Sequence, residues 1–293
     1  MYALIQDEFR VFDVGSVTKV YMDALSILAP DAAQRIRQSP AGILALFLEE
    51  TEASALQEGL ASHGIGTAIL AMDRFFPLPD FATVNNATPT DAGFEIKDFY
   101  ERITVVPWET FQYVNAAIVC EHQAMIDEET EETVQGEAFD DLITNSDFAT
   151  ETTKTTTNYY LEIFGEHEMS RLRIRSSKFN YSCLGEVMQL SADLNFRIFL
   201  ELIIDYCGDH CKIDASALAI TGAVDEDVET FDDDDLWRRY NHWAMQFVTN
   251  DDLFDDDDAD GHDVDDSDDD WNEIFHEGRP DDSVTLRRFK TPT

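Results

Sequence analysis

Two stretches of the sequence decide the fold: NYYLEIF at residues 158–164 and RLRIR at residues 171–175. In both, apolar and polar side chains alternate, which is typical of β-strands with one face on a core. The polar segment 165–168 between them indicates a turn, so we predict an antiparallel pair. One face of the second strand carries Arg171, Arg173 and Arg175, and the other carries Leu172 and Ile174.

The same period of two recurs upstream and makes residues 92–222 an antiparallel β-domain. Its predicted strands are at Phe94–Ile96, Ile103–Val106 and Phe179–Leu184, whereas Phe111–Val119 fits a strand or a helix. An acidic, threonine-rich segment at residues 121–157 is predicted to be an insertion between strands.

One strongly apolar helix closes this domain. Ser191 is placed to cap it, and it runs through Cys207. Its only polar stripe is Arg197, Glu201 and Asp205, so we expect the helix, including Leu194, to be buried on most sides.

Residues 1–78 alternate strand and helix patterns and predict a small βαβαβ domain, ferredoxin-like or related. Thr51 is expected to cap one of its helices without a capping box, since Ser54 stands three residues on. The predicted elements are Tyr2–Ile5, Val14–Leu28, Asp31–Gln38, Gly42–Leu48, the helix from Thr51, and Thr67–Met72. The predicted fold class is therefore α+β.

Acidity dominates the composition. The chain has 61 acidic and 20 basic side chains, a net charge of −41. Nucleic-acid binding needs clustered Lys and Arg, so direct contact with bare phosphates is not expected. A hydrophobic content of 44% nevertheless indicates a folded body.

The acidity is concentrated in residues 223–293, where 25 acidic residues lie between Asp225 and Asp282. We predict a largely disordered tail there, containing one amphipathic helix at residues 236–248. The apolar side chains on one face of this helix would pack either on the chain's own domain or in the groove of a partner. The candidate partner-binding residues are Leu236, Trp237, Tyr240, Trp243 and Phe247, with Trp271 and Phe275 farther along.

Neither a secretory signal nor a membrane span is apparent. No window approaches the ~18 uninterrupted apolar residues that a spanning helix needs, and residues 1–30 have no signal-peptide pattern. Four cysteines in 293 residues are too few for a disulfide framework. We therefore expect a cytoplasmic protein.

The layout of residues 92–212 resembles pleckstrin-homology-like domains. It combines antiparallel strands, one buried helix and the step Val105-Val106-Pro107-Trp108-Glu109 inside a strand-rich stretch. The resemblance implies a helix covering one open end of a curved sheet. It also implies binding of lipid head groups or peptides without catalysis.

Arg171, Arg173, Arg175 and Lys178 form a dense positive patch. One interpretation is a site for an anion, such as a phospholipid head group or the chain's own acidic tail. The simpler interpretation pairs the arginines with Glu162 and Glu166 on the neighbouring strand, as ordinary exposed cross-strand partners.

Two patterns suit metal ions. Cys207, His210 and Cys211 surround a helix end, and Cys120 and His122 could complete a zinc site, although buried free thiols explain the pair more simply. Asp256, Asp258, Asp260 and Gly261 begin like a calcium loop, but Ser267 stands where a bidentate Glu is required. The tail is therefore expected to bind divalent cations only loosely, and no cofactor is predicted.

No catalytic motif is found: the sequence has no G-x-S-x-G, Walker A, G-x-G-x-x-G or H-E-x-x-H pattern. The leading hypothesis is a non-enzymatic protein-interaction protein, an adaptor or regulator whose acidic tail suits a basic partner. The alternatives are an anion- or phospholipid-binding module using the 171–178 strand, and an enzyme with a cysteine or metal centre at Cys207 and Cys211.

Overall fold

The computed structural model describes residues 1–125, 152–166 and 170–250. The fold is α+β, as predicted. Its helices are α1 (Val14–Leu25), α2 (Ala29–Gln38), α3 (Glu50–Ala61), α4 (Ala192–Cys207), α5 (Ala215–Thr221) and α6 (Asp234–Thr249). Its strands are β1 (Tyr2–Gln6), β2 (Ile43–Leu48), β3 (Thr67–Ala71), β4 (Ala82–Thr83), β5 (Ala87–Thr90), β6 (Gly93–Lys97), β7 (Ile103–Val106), β8 (Phe111–Met125), β9 (Thr152–Gly165), β10 (Arg171–Arg175), β11 (Lys212–Ile213) and β12 (Thr230–Phe231).

The first part of the chain forms a three-stranded antiparallel sheet, ordered β2-β1-β3, with α1, α2 and α3 packed on it. The predicted strands and helices are all present, with two helices between β1 and β2. The expected cap at Thr51 is wrong. Glu49 caps α3, and its backbone N–H donates to Glu52 Oε2 at 3.0 Å, so a capping box is present two residues earlier.

The second part is built on a larger sheet, which we call the main sheet. Its strands are ordered β11-β8-β9-β10-β4, and β12 also pairs with β8. The predicted antiparallel pair is confirmed: Arg171 lies opposite Phe164, and the register continues to Arg175 opposite Tyr160. Residues 111–119, which fitted either element, belong to strand β8. A separate antiparallel sheet, β5-β6-β7, shares the core cluster beneath α4.

Helix α4 covers one face of the main sheet. Ser191 caps it as predicted, and the helix ends at Cys207 because Gly208 follows with a φ of +59°, which favours glycine. Phe199, Leu200 and Ile203 of α4 share a buried cluster with the apolar side chains of β9 and β10. Those side chains are Leu161, Ile163, Leu172 and Ile174.

The predicted strand at residues 179–184 is wrong, because this segment forms 3₁₀ turns at Ser176–Lys178 and Tyr181–Val187. Asn180 Oδ1 accepts the backbone N–H of Ser182 at 3.0 Å, a local turn that competes with strand pairing. Tyr181 and Leu184, spaced three residues apart, then both enter the core.

Helix α6 covers the opposite face of the main sheet. It begins after Asp233, whose carboxylate accepts the backbone N–H of Leu236 at 2.7 Å. Trp237 is fully buried against the β8–β9 side, while Trp243 and Phe247 pack on the cluster formed by Ala3, Ile5 and Leu70 of the N-terminal sheet. The helix predicted at residues 236–248 therefore packs on its own chain, between two sheets.

Replacing Trp237 tests this docking. Trp237→Ala is expected to lower the free energy of unfolding by about 3–5 kcal/mol, since it removes a large buried side chain and leaves a cavity. Urea denaturation measures the change. Arg238→Ala, at an exposed position on the same helix, is the control and should stay within about 0.5 kcal/mol of the parent. A similar small effect for both variants would contradict the packing.

Candidate functional site

The arginines predicted to bind an anion already surround a carboxylate of the protein. Glu162 is fully buried, and its two oxygens accept from Arg171 Nε at 2.7 Å and Nη2 at 3.0 Å, and from Arg173 Nε at 2.6 Å. Arg171 Nη1 also donates to the carbonyl of Pro79 at 3.1 Å. Both guanidinium groups are nearly inaccessible, with side chains 1% and 6% exposed.

Two further ion pairs extend this arrangement. Arg173 Nη1 donates to Asp234 Oδ1 at 2.6 Å, at the first turn of α6, and Arg175 contacts Glu121. The ring of Phe81 lies 3.9 Å from the Arg173 guanidinium carbon, a cation–π contact. Asp234 thus connects α6 to the arginine face of β10.

The prediction that the arginines pair with Glu162 is confirmed for Arg171 and Arg173. The prediction that these pairs are exposed is wrong, because all three side chains are buried. The reason is α6, which covers the sheet face that carries these side chains. Glu166 instead accepts from Gln112 Nε2 at 3.0 Å. Lys178 lies apart from the arginines, exposed in a 3₁₀ turn.

Removing the buried negative charge tests the cluster. Glu162→Gln is expected to lower the free energy of unfolding by about 3–5 kcal/mol, because two buried guanidinium groups lose their shared partner. Glu166→Gln is the control, the same substitution at an exposed position directly after β9, with an expected change within about 0.5 kcal/mol. Equal effects in urea titrations would show that the buried pairs add nothing.

The proposed metal residues lie around the end of α4. Cys207 is buried, and its hydrogen bond with Cys211, followed by its burial, raises the pKa of its thiol. His210 Nε2 lies 2.9 Å from the carbonyl oxygen of Trp108. Among the described residues, no three or more His, Cys, Asp or Glu side chains are grouped to hold a metal ion. The side chain of His122 is outside the described part.

The proposed partner-binding residues are divided by the fold. Trp237 is buried, whereas Leu236, Tyr240, Trp243 and Phe247 are half-buried against the chain's own clusters. Trp271, Phe275 and the aspartates of the calcium-like loop lie outside the described residues. The face of α6 is therefore largely occupied by its own protein.

A different surface carries exposed apolar side chains, which we call the apolar patch: Val187, Met188, Leu190 and Leu194. Leu190 is completely exposed, and the other three are about half exposed. Leu194 was expected to be buried with the rest of α4, but it lies in the first turn, outside the face that covers the sheet. Adjacent exposed apolar groups of this kind are typical of interaction sites.

The loop of the patch is held in one conformation by Asn195. The side chain of Asn195 is buried, its Oδ1 accepts the backbone N–H of Gln189 at 2.6 Å, and its Nδ2 donates to the Gln189 carbonyl at 2.9 Å. Before the loop, Gly185 adopts a φ of +54°, which lets the chain turn, and its carbonyl accepts the N–H of Met188 at 3.3 Å. The exposed side chains are thus presented from an ordered backbone.

Two carboxylates lie next to the patch, and one arginine, exposed Arg197, follows Leu194 by three residues on α4. Between Tyr181 and Asn195 the charged residues are Glu186 and Asp193, both exposed carboxylates. The sequence did not predict this surface, because its apolar residues form only a short run directly before an apolar helix. The available signal was the run Val187-Met188-Gln189-Leu190 before the cap Ser191, which no strand or helix pattern used.

Comparisons with models of known protein families, with curated proteins and with solved structures all find no match. The pleckstrin-homology-like layout therefore stays a prediction. Within the described residues, none of the helices combines the length and the apolar character that crossing a membrane requires.

Proposed function

We propose that the chain is a non-enzymatic protein-interaction protein, an adaptor or regulator acting in the cytoplasm, which binds a partner with basic and apolar side chains. The observation that carries the proposal is the apolar patch. Covering these four exposed side chains, on residues 187–190 and in the first turn of α4, removes apolar surface from water and is favourable by ~25 cal/mol per Å².

The negative charge of the chain favours a partner with a basic surface. Glu186 and Asp193 flank the patch, and the chain as a whole carries −41. Lys and Arg side chains on a partner would be attracted by this field, which speeds association and disfavours acidic competitors. The acidic residues after position 250 add to the same preference, and they suit loose binding of divalent cations as well.

The anion-binding alternative has less support. It needs Arg171, Arg173 and Arg175 to be accessible, yet the first two are buried on Glu162 and the third contacts Glu121. Releasing any of them for a ligand would leave a protein carboxylate without its partner, a cost of several kcal/mol for the buried one.

Two lysine substitutions test the patch. Met188→Lys combined with Leu190→Lys should abolish capture of a partner from lysate that the parent protein retains at low salt and releases at high salt, because the new positive charges replace apolar contact area and repel a basic partner. Both side chains are exposed, so the thermal midpoint should change little.

The control is Val11→Lys combined with Leu28→Lys, which adds the same charge at exposed apolar positions outside the patch. We expect this variant to retain the partner. Capture of the same proteins by the patch variant, or no protein retained better by the parent than by it, would count against the proposal.

A further inference from the structure

A pocket of about 430 Å³ opens between the start of α5 and the C-terminal half of α6. Three aromatic residues of α6 line it, namely Tyr240, Trp243 and Phe247, at i, i+3 and i+7 on one face of the helix. Asp214 and Lys212, just before α5, provide its charged groups. The pocket is distinct from the apolar patch.

The aromatic side of the pocket is fixed before any ligand arrives. Trp243 Nε1 donates to the carbonyl of Gln6 at 2.7 Å, and its ring lies 5.5 Å from that of Tyr240 and 4.8 Å from that of Phe247, centroid to centroid. Gly42, with a φ of +71°, lets the backbone approach the Trp243 Cβ to the point where a side chain would crowd it. A ligand would therefore pay little to order these rings.

The carboxylate side is equally fixed. Asp214 Oδ2 accepts from the hydroxyls of Tyr113 at 2.6 Å and Tyr240 at 2.9 Å, and Oδ1 accepts the backbone N–H of Ser216 at 2.9 Å. Burial, and then the charge of Asp214, raise the pKa of both tyrosines, so each keeps its proton and donates. Burial, and then the charge of Asp214, also raise the pKa of the neighbouring Glu229 carboxyl.

We propose that this pocket binds an alkylammonium group, either a free quaternary ammonium or the methylated lysine side chain of a polypeptide. Aromatic rings attract a cation through their faces, and the half-buried carboxylate of Asp214 adds a direct charge interaction. Neither feature helps an anion, and the acidity of the chain increases the local concentration of cations.

Lys212 opposes such a ligand. Lys212 is exposed and lines the same pocket, so its positive charge weakens the attraction for a cationic ligand. We therefore expect Lys212→Gln to bind a cation such as choline more tightly than the parent protein does.

The test compares choline with 3,3-dimethylbutan-1-ol, which has the same shape without the charge. Titration is followed by the indole N–H resonance of Trp243 in NMR spectra of the full chain. Choline should shift this resonance saturably, and the neutral alcohol should bind at least about tenfold more weakly, as expected when a desolvated cation–π contact is lost.

Two substitutions separate the contributions. Asp214→Asn keeps an oxygen to cap α5, and Phe247→Leu keeps the bulk of the side chain. Each should weaken choline binding about tenfold, while Phe99→Leu, at an exposed position outside the pocket, should leave it unchanged. Circular dichroism and thermal midpoints verify that each variant is folded.

A peptide carrying trimethyl-lysine distinguishes the two sources of the ligand. Tighter binding than choline indicates a polypeptide ligand, and equal binding indicates a free ammonium compound. The inference is overturned if choline does not shift the resonance, if the neutral alcohol binds as tightly, or if Phe247→Leu binds choline as the parent does. None of these results depends on Met188 and Leu190, so failure here and failure of the patch are separate outcomes.

Discussion

A buried negative charge constrains the rest of the structure. Glu162 lies in the middle of the main sheet with no exposed surface, and two oxygen atoms have to be satisfied there. Arg171 and Arg173, on the neighbouring strand, satisfy them. Such a cluster is tolerated only when every member is paired, because an unpaired buried charge costs several kcal/mol. Because α6 covers this face of the sheet and removes it from water, each charged group on that face requires a partner.

Helix α6 makes both polar and apolar contacts with this face. Asp234 in its first turn accepts from Arg173, and Asn241 Oδ1 accepts from Asn115 Nδ2 at 2.9 Å inside the interface. Trp237 fills the apolar part of the same face. These contacts bury one side of the helix. Tyr240, Trp243 and Phe247 of the same helix also line the pocket beside Asp214. Packing of the core and construction of the candidate ligand site thus depend on one element.

Most of the longer strands and helices could be predicted because their side-chain periods are local, whereas the short strands β4, β5, β11 and β12 carry too few residues to show a period. RLRIR alternates, and Ser191 caps an apolar run. The exposure of the arginines could not be predicted, since it depends on a helix about 60 residues later. That helix sits in acidic sequence and was assigned to a tail, although its stripe was recognised. Asp214 was missed for a related reason: its role depends on Tyr113 and Tyr240, which are distant in sequence and come together only in the fold.

The central claim is that residues 234–249 are an integral part of the folded body. Native-state hydrogen exchange measures it most directly, through the opening free energies of the amides of α6 and of β9. We expect the central amides of both elements to exchange only through global unfolding, with the same free energy and the same dependence on denaturant. Exchange of α6 through a separate opening of lower free energy, while β9 remains protected, would contradict the claim.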